Sequence, residues 1–166
     1  MTRILPLFLL LTACHTAHPA PEPAPKADAA PPAPPAHPCD AGLPRARLVI
    51  QPDGTTVEVT PAQGEYMMGR LVWRGDADGD RAQDVLVRDK EACDAWGSCP
   101  HWLYTGCADG AHATAAHIPA AQEVRVEDRD ARGWRTLFAR LRVVTPEADT
   151  RSEQRWSIQA SGQYAP

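Results

Sequence analysis

No stretch of this chain is long and apolar enough to cross a bilayer as a helix. The longest such run, Ile4 to Leu11, falls well short of the roughly 20 residues that a span requires. Basic residues are outnumbered: 17 Lys and Arg against 21 Asp and Glu leave a net charge of −4, so the footprint of a nucleic-acid binder is missing. There is no Gly-x-Ser-x-Gly and no His-Glu-x-x-His, which removes the nucleophile elbow and the helical zinc-protease motif. His101, His112 and His117 are scattered and read as surface or sheet-edge residues. Glu123, Glu127, Asp128 and Glu147 offer acid pairs, but nothing in their spacing marks a glycosidase. The sequence therefore predicts neither an enzyme nor a nucleic-acid partner.

What is present begins with Met1-Thr2-Arg3, one positive charge ahead of the short apolar run, which ends in Leu11-Thr12-Ala13-Cys14. That arrangement is the layout of a secretory signal. Leu11-Thr12-Ala13-Cys14 resembles the lipobox of bacterial lipoproteins. The resemblance implies that residues 1–13 are removed and that Cys14 becomes a lipidated N-terminus, holding the chain to a membrane through several acyl chains, where one chain alone binds only marginally. His15, in place of Asp after the cysteine, points to the outer membrane.

From His15 to Pro38 the chain is almost all Pro and Ala and holds nine of the 17 prolines. It has no apolar periodicity and nothing with which to build a core. Residues 14–38 read as a disordered, polyproline-rich tether of at most ~70 Å, at about 3.1 Å per residue. Residues 39–166 remain as a single domain, long enough to bury one core.

With Cys14 set aside, four cysteines are left: Cys39, Cys93, Cys99 and Cys107. An even number in an exported chain predicts two disulfides. Of the three connectivities, Cys93–Cys99 with Cys39–Cys107 is preferred. The first closes a short loop containing Trp96, Gly97 and Ser98, and the second pins the start of the domain to the middle of the sheet. A zinc site drawing on His101 or His112 is the alternative, but no Cys-x-x-Cys pair supports it.

The domain reads as mainly β, an antiparallel sheet of hairpins. Arg47–Ile50 and Thr55–Val59 flank Asp53-Gly54, a hairpin signal. Met68–Arg74, Asp84–Arg88, His101–Cys107, Gln122–Glu127 and Gln154–Ala160 read as further strands, with Leu71 and Trp73 on one face of the first. Trp134–Val144 fits a strand or a helix face, and Gly133 with Val143-Val144 tips it to strand. A short helix is expected near His117–Glu123. The five tryptophans read as core and sheet-face residues.

The most informative run is Gly75 to Asp84. Counted from Asp76, carboxylates fall at positions 1, 3, 5 and 9: Asp76, Asp78, Asp80 and Asp84. If the chain curls so that alternate side chains converge, the Ala82 carbonyl at position 7 joins them. Hard oxygen donors in such a set suit Ca²⁺. An EF-hand is excluded, since position 12 is Val87 where a bidentate Glu is needed, position 6 is Arg81 and the flanks are strands. The pattern resembles the calcium loop of FG-GAP repeats in integrin-type β-propellers, where a strand runs into Asp-x-Asp-Gly-Asp-Gly-x-x-Asp and leaves as an apolar strand. The resemblance covers about 20 residues and departs from the family at Arg81, which replaces Gly at a position expected to need positive φ, at a cost of roughly 1 kcal/mol or more. It implies a structural Ca²⁺. More of the chain, from the loop through the Cys93-to-Cys107 cluster to Trp156 and Tyr164, looks similar to small lipoproteins of high-GC bacteria. The expected role is a binding or structural module of the cell envelope, its partner an envelope protein or a glycan. The alternative is a small inhibitor or accessory factor of a secreted enzyme.

Overall fold

The computed structural model describes residues 34–166. The signal segment, Cys14 and most of the tether lie outside the described residues. Among these there is no helix, and nine strands follow one another as antiparallel neighbours. They are β1 (Arg45–Ile50), β2 (Thr56–Pro61), β3 (Met67–Gly75), β4 (Asp84–Asp89), β5 (Cys99–Gly106), β6 (His112–Arg129), β7 (Arg135–Val144), β8 (Asp149–Ile158) and β9 (Tyr164–Ala165). The start of β1 also pairs with the start of β6, Arg45 opposite Ala113, so the first six strands curl back on themselves.

The first hairpin shows why local sequence is enough at some places. Asp53 accepts the N–H of Thr55 and of Thr56, each at 2.8 Å, and the Thr56 hydroxyl at 2.7 Å. Those bonds hold its carboxyl down at about 2. Gly54 takes φ +67°, and the register sets Ile50 opposite Val57.

Curling leaves two cores, one on each side of β4 and β5. Val57, Val59, Val85, Val87 and Tyr104 pack on one side, with Leu48, Met67 and Trp102 around them. Leu86, Leu103, Ile118, Leu137, Ile158 and Tyr164 pack on the other. Strand alternation sends successive side chains to opposite faces, and here both faces are covered. Asp84, Val85, Leu86 and Val87 are all buried.

Three expectations need correction. Residues 117–123 belong to β6, not to a helix. Ala113, Ala115, Ala116 and Ala121 are buried where strands crowd, and Pro119 falls in an irregularity, since Ile118 faces His101 while Ala121 faces Cys99. A proline is tolerated in a strand where the ladder is broken. Leu71 and Trp73 do not share a face. Leu71 faces Val87 and Trp73 faces Leu86, so an extra residue sits between them. Leu71 packs with the first core and Trp73 with the second. Of the tryptophans, Trp96 is exposed, lying beneath the Arg142 guanidinium at 5.0 Å.

Both expected disulfides are present, Cys39–Cys107 and Cys93–Cys99. The first ties the chain just ahead of β1 to the end of β5.

Candidate metal centre

The site lies on the β3–β4 connection. Gly75 pairs with Asp84, so the chain leaves and re-enters the sheet at one point and the acidic residues between must curl. Arg81 sits inside that curl at φ 73°, and is the one non-glycine of positive φ among the described residues.

Asp84 opens the doubly covered strand β4, which is why a carboxylate there is fully buried. It accepts the N–H of Ala77 at 2.5 Å and of Gly106 at 2.9 Å, joining the start of the loop to the end of β5. Gly106 has to be glycine: a Cβ there would stand 2.8 Å from the carbonyl oxygen of Gln83. Asp76 accepts the N–H of Gly79 at 2.5 Å and lies 3.1 Å from an Arg129 nitrogen. Its carbonyl takes further bonds from Arg129 and Arg135. Asp80 accepts the N–H of Ala82 at 2.6 Å.

Asp78 is different. Its side chain has no exposed surface. Oδ1 accepts the N–H of Asp80 at 3.1 Å, but Oδ2 is buried without a hydrogen bond. The lid above it is the segment before Cys39. Pro38 is buried, the N–H of Ala36 reaches the Ala160 carbonyl at 3.3 Å, and the His37 ring stands 6.0 Å from Trp134. His37 Nε2 lies 2.9 Å from Asp78 Oδ2 and 3.4 Å from an oxygen of Asp80.

Two groups of donor atoms converge, each within 4.8 Å: Asp76, Asp78 and Asp84, and beside it His37, Asp78 and Asp80. The sequence pattern thus brings its four carboxylates together, but into two overlapping groups. His37 was not foreseen. It belongs by composition to the Pro/Ala segment, and its one signal was a place two residues before the first cysteine of the domain.

The charges do not balance within the protein. Two unit charges 4.8 Å apart repel by about 3.5 kcal/mol at an effective dielectric of 20. Three such pairs among Asp76, Asp78 and Asp84 approach the whole stability of an ordinary domain, about 5–15 kcal/mol. Burial, with the Asp78 charge alongside, pushes Asp84 up to about 7 in spite of its two N–H donors. Burial also raises Asp78, as does its neighbour Asp80. For Asp76 burial works the same way but is outweighed by the Gly79 N–H and by Arg129, which hold it below the ordinary value. A proton or a cation would relieve the repulsion, and the buried Oδ2 of Asp78, which makes no hydrogen bond and has the His37 ring 2.9 Å away, is open to either. The residues could hold a metal ion.

The expectation of a surface or sheet-edge position needs correction at His101. His101 is buried and its Nδ1 lies 2.9 Å from the Cys99 carbonyl oxygen. Burial holds its ring near 4, against an ordinary 6.5, so it is neutral. His117 stacks on Trp102 at 3.7 Å. Pairing of all four described cysteines leaves no thiolate for a zinc site with His101 or His112.

No known protein family, characterised protein or solved structure matches the chain.

Proposed function

We propose that the chain is a lipid-anchored module of a bacterial cell envelope whose β3–β4 loop holds a structural Ca²⁺. Asp76, Asp78, Asp80 and Asp84, with the Ala82 carbonyl, are the ligands this reading assigns. The observation that carries it is the convergence of Asp76, Asp78 and Asp84 on one point, with an oxygen of Asp78, Oδ2, buried and without a hydrogen bond. An oxygen-only set of this charge suits Ca²⁺ over Mg²⁺, which demands a stricter octahedron. Anchoring rests on Leu11-Thr12-Ala13-Cys14, and His15 in place of Asp favours the outer membrane, where the proposed partner is an envelope protein or a glycan. Extracellular Ca²⁺ modules commonly bind at about 10⁻⁴–10⁻³ M. In that range the ion stays bound outside a cell and acts as a staple, beside the two disulfides, and not as a signal.

The test of the site is a calorimetric titration of the protein with Ca²⁺. One ion per chain, with binding abolished in Asp78→Ala, is expected. A flat titration of the wild type would remove the metal from the reading. Anchoring is tested separately by metabolic labelling with a fatty acid: label on the wild type and none on Cys14→Ser is expected, and an unlabelled wild type contradicts it.

A further inference from the structure

The His37 ring sits on the acidic loop without a well-aligned hydrogen bond to it. Nε2 of His37 and Oδ2 of Asp78 are both buried, and neither has a hydrogen-bond partner. Yet they are 2.9 Å apart, so the oxygen lies off the direction in which the ring nitrogen could donate. An oxygen of Asp80 stands 3.4 Å from the same nitrogen. Edges of this length are those between ligands that share one small cation, since donors bound at about 2.0–2.2 Å and separated by roughly 90–110° lie ~2.9–3.5 Å apart.

We propose that His37, Asp78 and Asp80 form a second cation position beside the oxygen-only one, with Asp78 and Asp80 bridging the two, and that it takes Zn²⁺. The inference rests on reading the loop as a cation site. Three observations carry it further than that reading. The first is chemical: imidazole nitrogen suits Zn²⁺ and related first-row ions, whereas Ca²⁺ takes oxygen donors. Two carboxylates, one imidazole and a water complete a tetrahedral set.

The second is charge. Asp76, Asp78, Asp80 and Asp84 bring four negative charges to the loop, and Arg129 lies against one of them. With Arg129 counted, one divalent ion leaves the cluster negative, so a site attractive to a second cation remains.

The third is positioning. The ring is held from behind by the Cys39–Cys107 disulfide, buried Pro38 and the Ala36 bond to Ala160. Gly162 gives the strap its close approach, since a Cβ there would stand 2.8 Å from the Ala41 side chain and 3.0 Å from the Ala36 carbonyl oxygen. Ligands fixed in this way lose little freedom on binding an ion.

The ring also sets a condition. Nδ1 of His37 accepts the N–H of Cys39 at 3.2 Å, which places the proton of the neutral ring on Nε2. Zn²⁺ takes the lone pair of Nε2, so loading moves that proton to Nδ1 and gives up the Cys39 contact. No net proton leaves the ring.

The test is a Zn²⁺ titration of the untagged full-length protein in excess Ca²⁺, followed by calorimetry and by the ¹⁵N shifts of the His37 ring. The wild type is expected to bind one more Zn²⁺ than His37→Ala or His37→Gln, with affinity for the loop ions otherwise retained. Glutamine keeps a side-chain N–H for Asp78, so its failure to restore Zn²⁺ separates a ligand from a hydrogen-bond donor. Zn²⁺ should also convert the ring from Nε2-protonated to Nδ1-protonated, a readout that needs no variant. Equal Zn²⁺ titrations in all three proteins, or a ring pattern unchanged at saturation, overturn the second position and leave the Ca²⁺ loop standing. Loss of the Ca²⁺ titration in the wild type instead removes the loop reading, and the second position with it.

Discussion

The carboxylate of Asp84 takes the N–H of Gly106 at 2.9 Å with one oxygen and that of Ala77 at 2.5 Å with the other. Asp78, next to it, has an oxygen with no donor at all. The two aspartates therefore have different duties, and asparagine separates them. In Asp84→Asn an amide NH₂ must face one of the two backbone N–H groups, which costs about 1–3 kcal/mol for the unsatisfied donor. In Asp78→Asn no bond is lost and a repulsive charge is removed. Denaturant melts in chelator should show Asp84→Asn less stable than the wild type and Asp78→Asn equal to it or more stable. Neither variant should respond to Ca²⁺.

The disulfides differ in the length of chain they close. Cys39–Cys107 spans 68 residues and Cys93–Cys99 spans 6. By loop-closure entropy the first contributes about 4 kcal/mol and the second about 2 kcal/mol. Removing Cys39 and Cys107 together as serines should lower the urea midpoint roughly twice as far as removing Cys93 and Cys99. It should also weaken Ca²⁺ binding, because the same bond holds the strap over Asp78. Loss of the short disulfide should leave binding unchanged.

His101 supplies a pH dependence that does not involve the metal. Burial depresses its folded value to about 4 from an ordinary 6.5. The unfolded chain therefore binds the extra proton first. The stability this neutral ring contributes is complete above about pH 6.5 and is lost progressively as pH falls toward 4. Between pH 7 and pH 5, measured at saturating Ca²⁺, the wild type should lose about 1–2 kcal/mol more than His101→Gln. Parallel pH profiles for the two proteins would contradict a buried, neutral His101.

Arg81 holds φ 73° where glycine would do so without strain. Part of the left-handed penalty, about 1 kcal/mol, is offset by the greater freedom glycine has when unfolded. Arg81→Gly should raise the thermal midpoint modestly and tighten Ca²⁺ binding. A fall in both would mean that the arginine side chain supports the loop.

Much of this architecture was legible in the residues. Asp53-Gly54 marked the first hairpin, the spacing of Cys93 and Cys99 marked a local disulfide, and the absence of glycine at Arg81 marked a strained turn. What was hidden has a common cause: it depends on packing that one-dimensional patterns do not carry. Alanine says little about which face it occupies, so residues 117–123, in the middle of β6, read as a short helix, whereas Ile118 and Ala121 are buried there between strands. The extra residue between Leu71 and Trp73 leaves the alternation looking intact while sending the two side chains to different cores. His37 lies in a stretch whose composition denies it a role, and the long disulfide two residues on, with buried Pro38 and the Ala36 bond to Ala160, holds it at Asp78 and Asp80.

The most direct measurement is a pair of thermal melts, with Ca²⁺ and with chelator, on the wild type and on Asp78→Ala combined with Asp80→Ala. At a hundredfold excess over its dissociation constant the ion should add about 2.7 kcal/mol, a shift of several degrees for a domain of this size. The wild type should melt higher in Ca²⁺ and the double variant should give the same curve in both. Coincident curves for the wild type in Ca²⁺ and in chelator would contradict the metal centre.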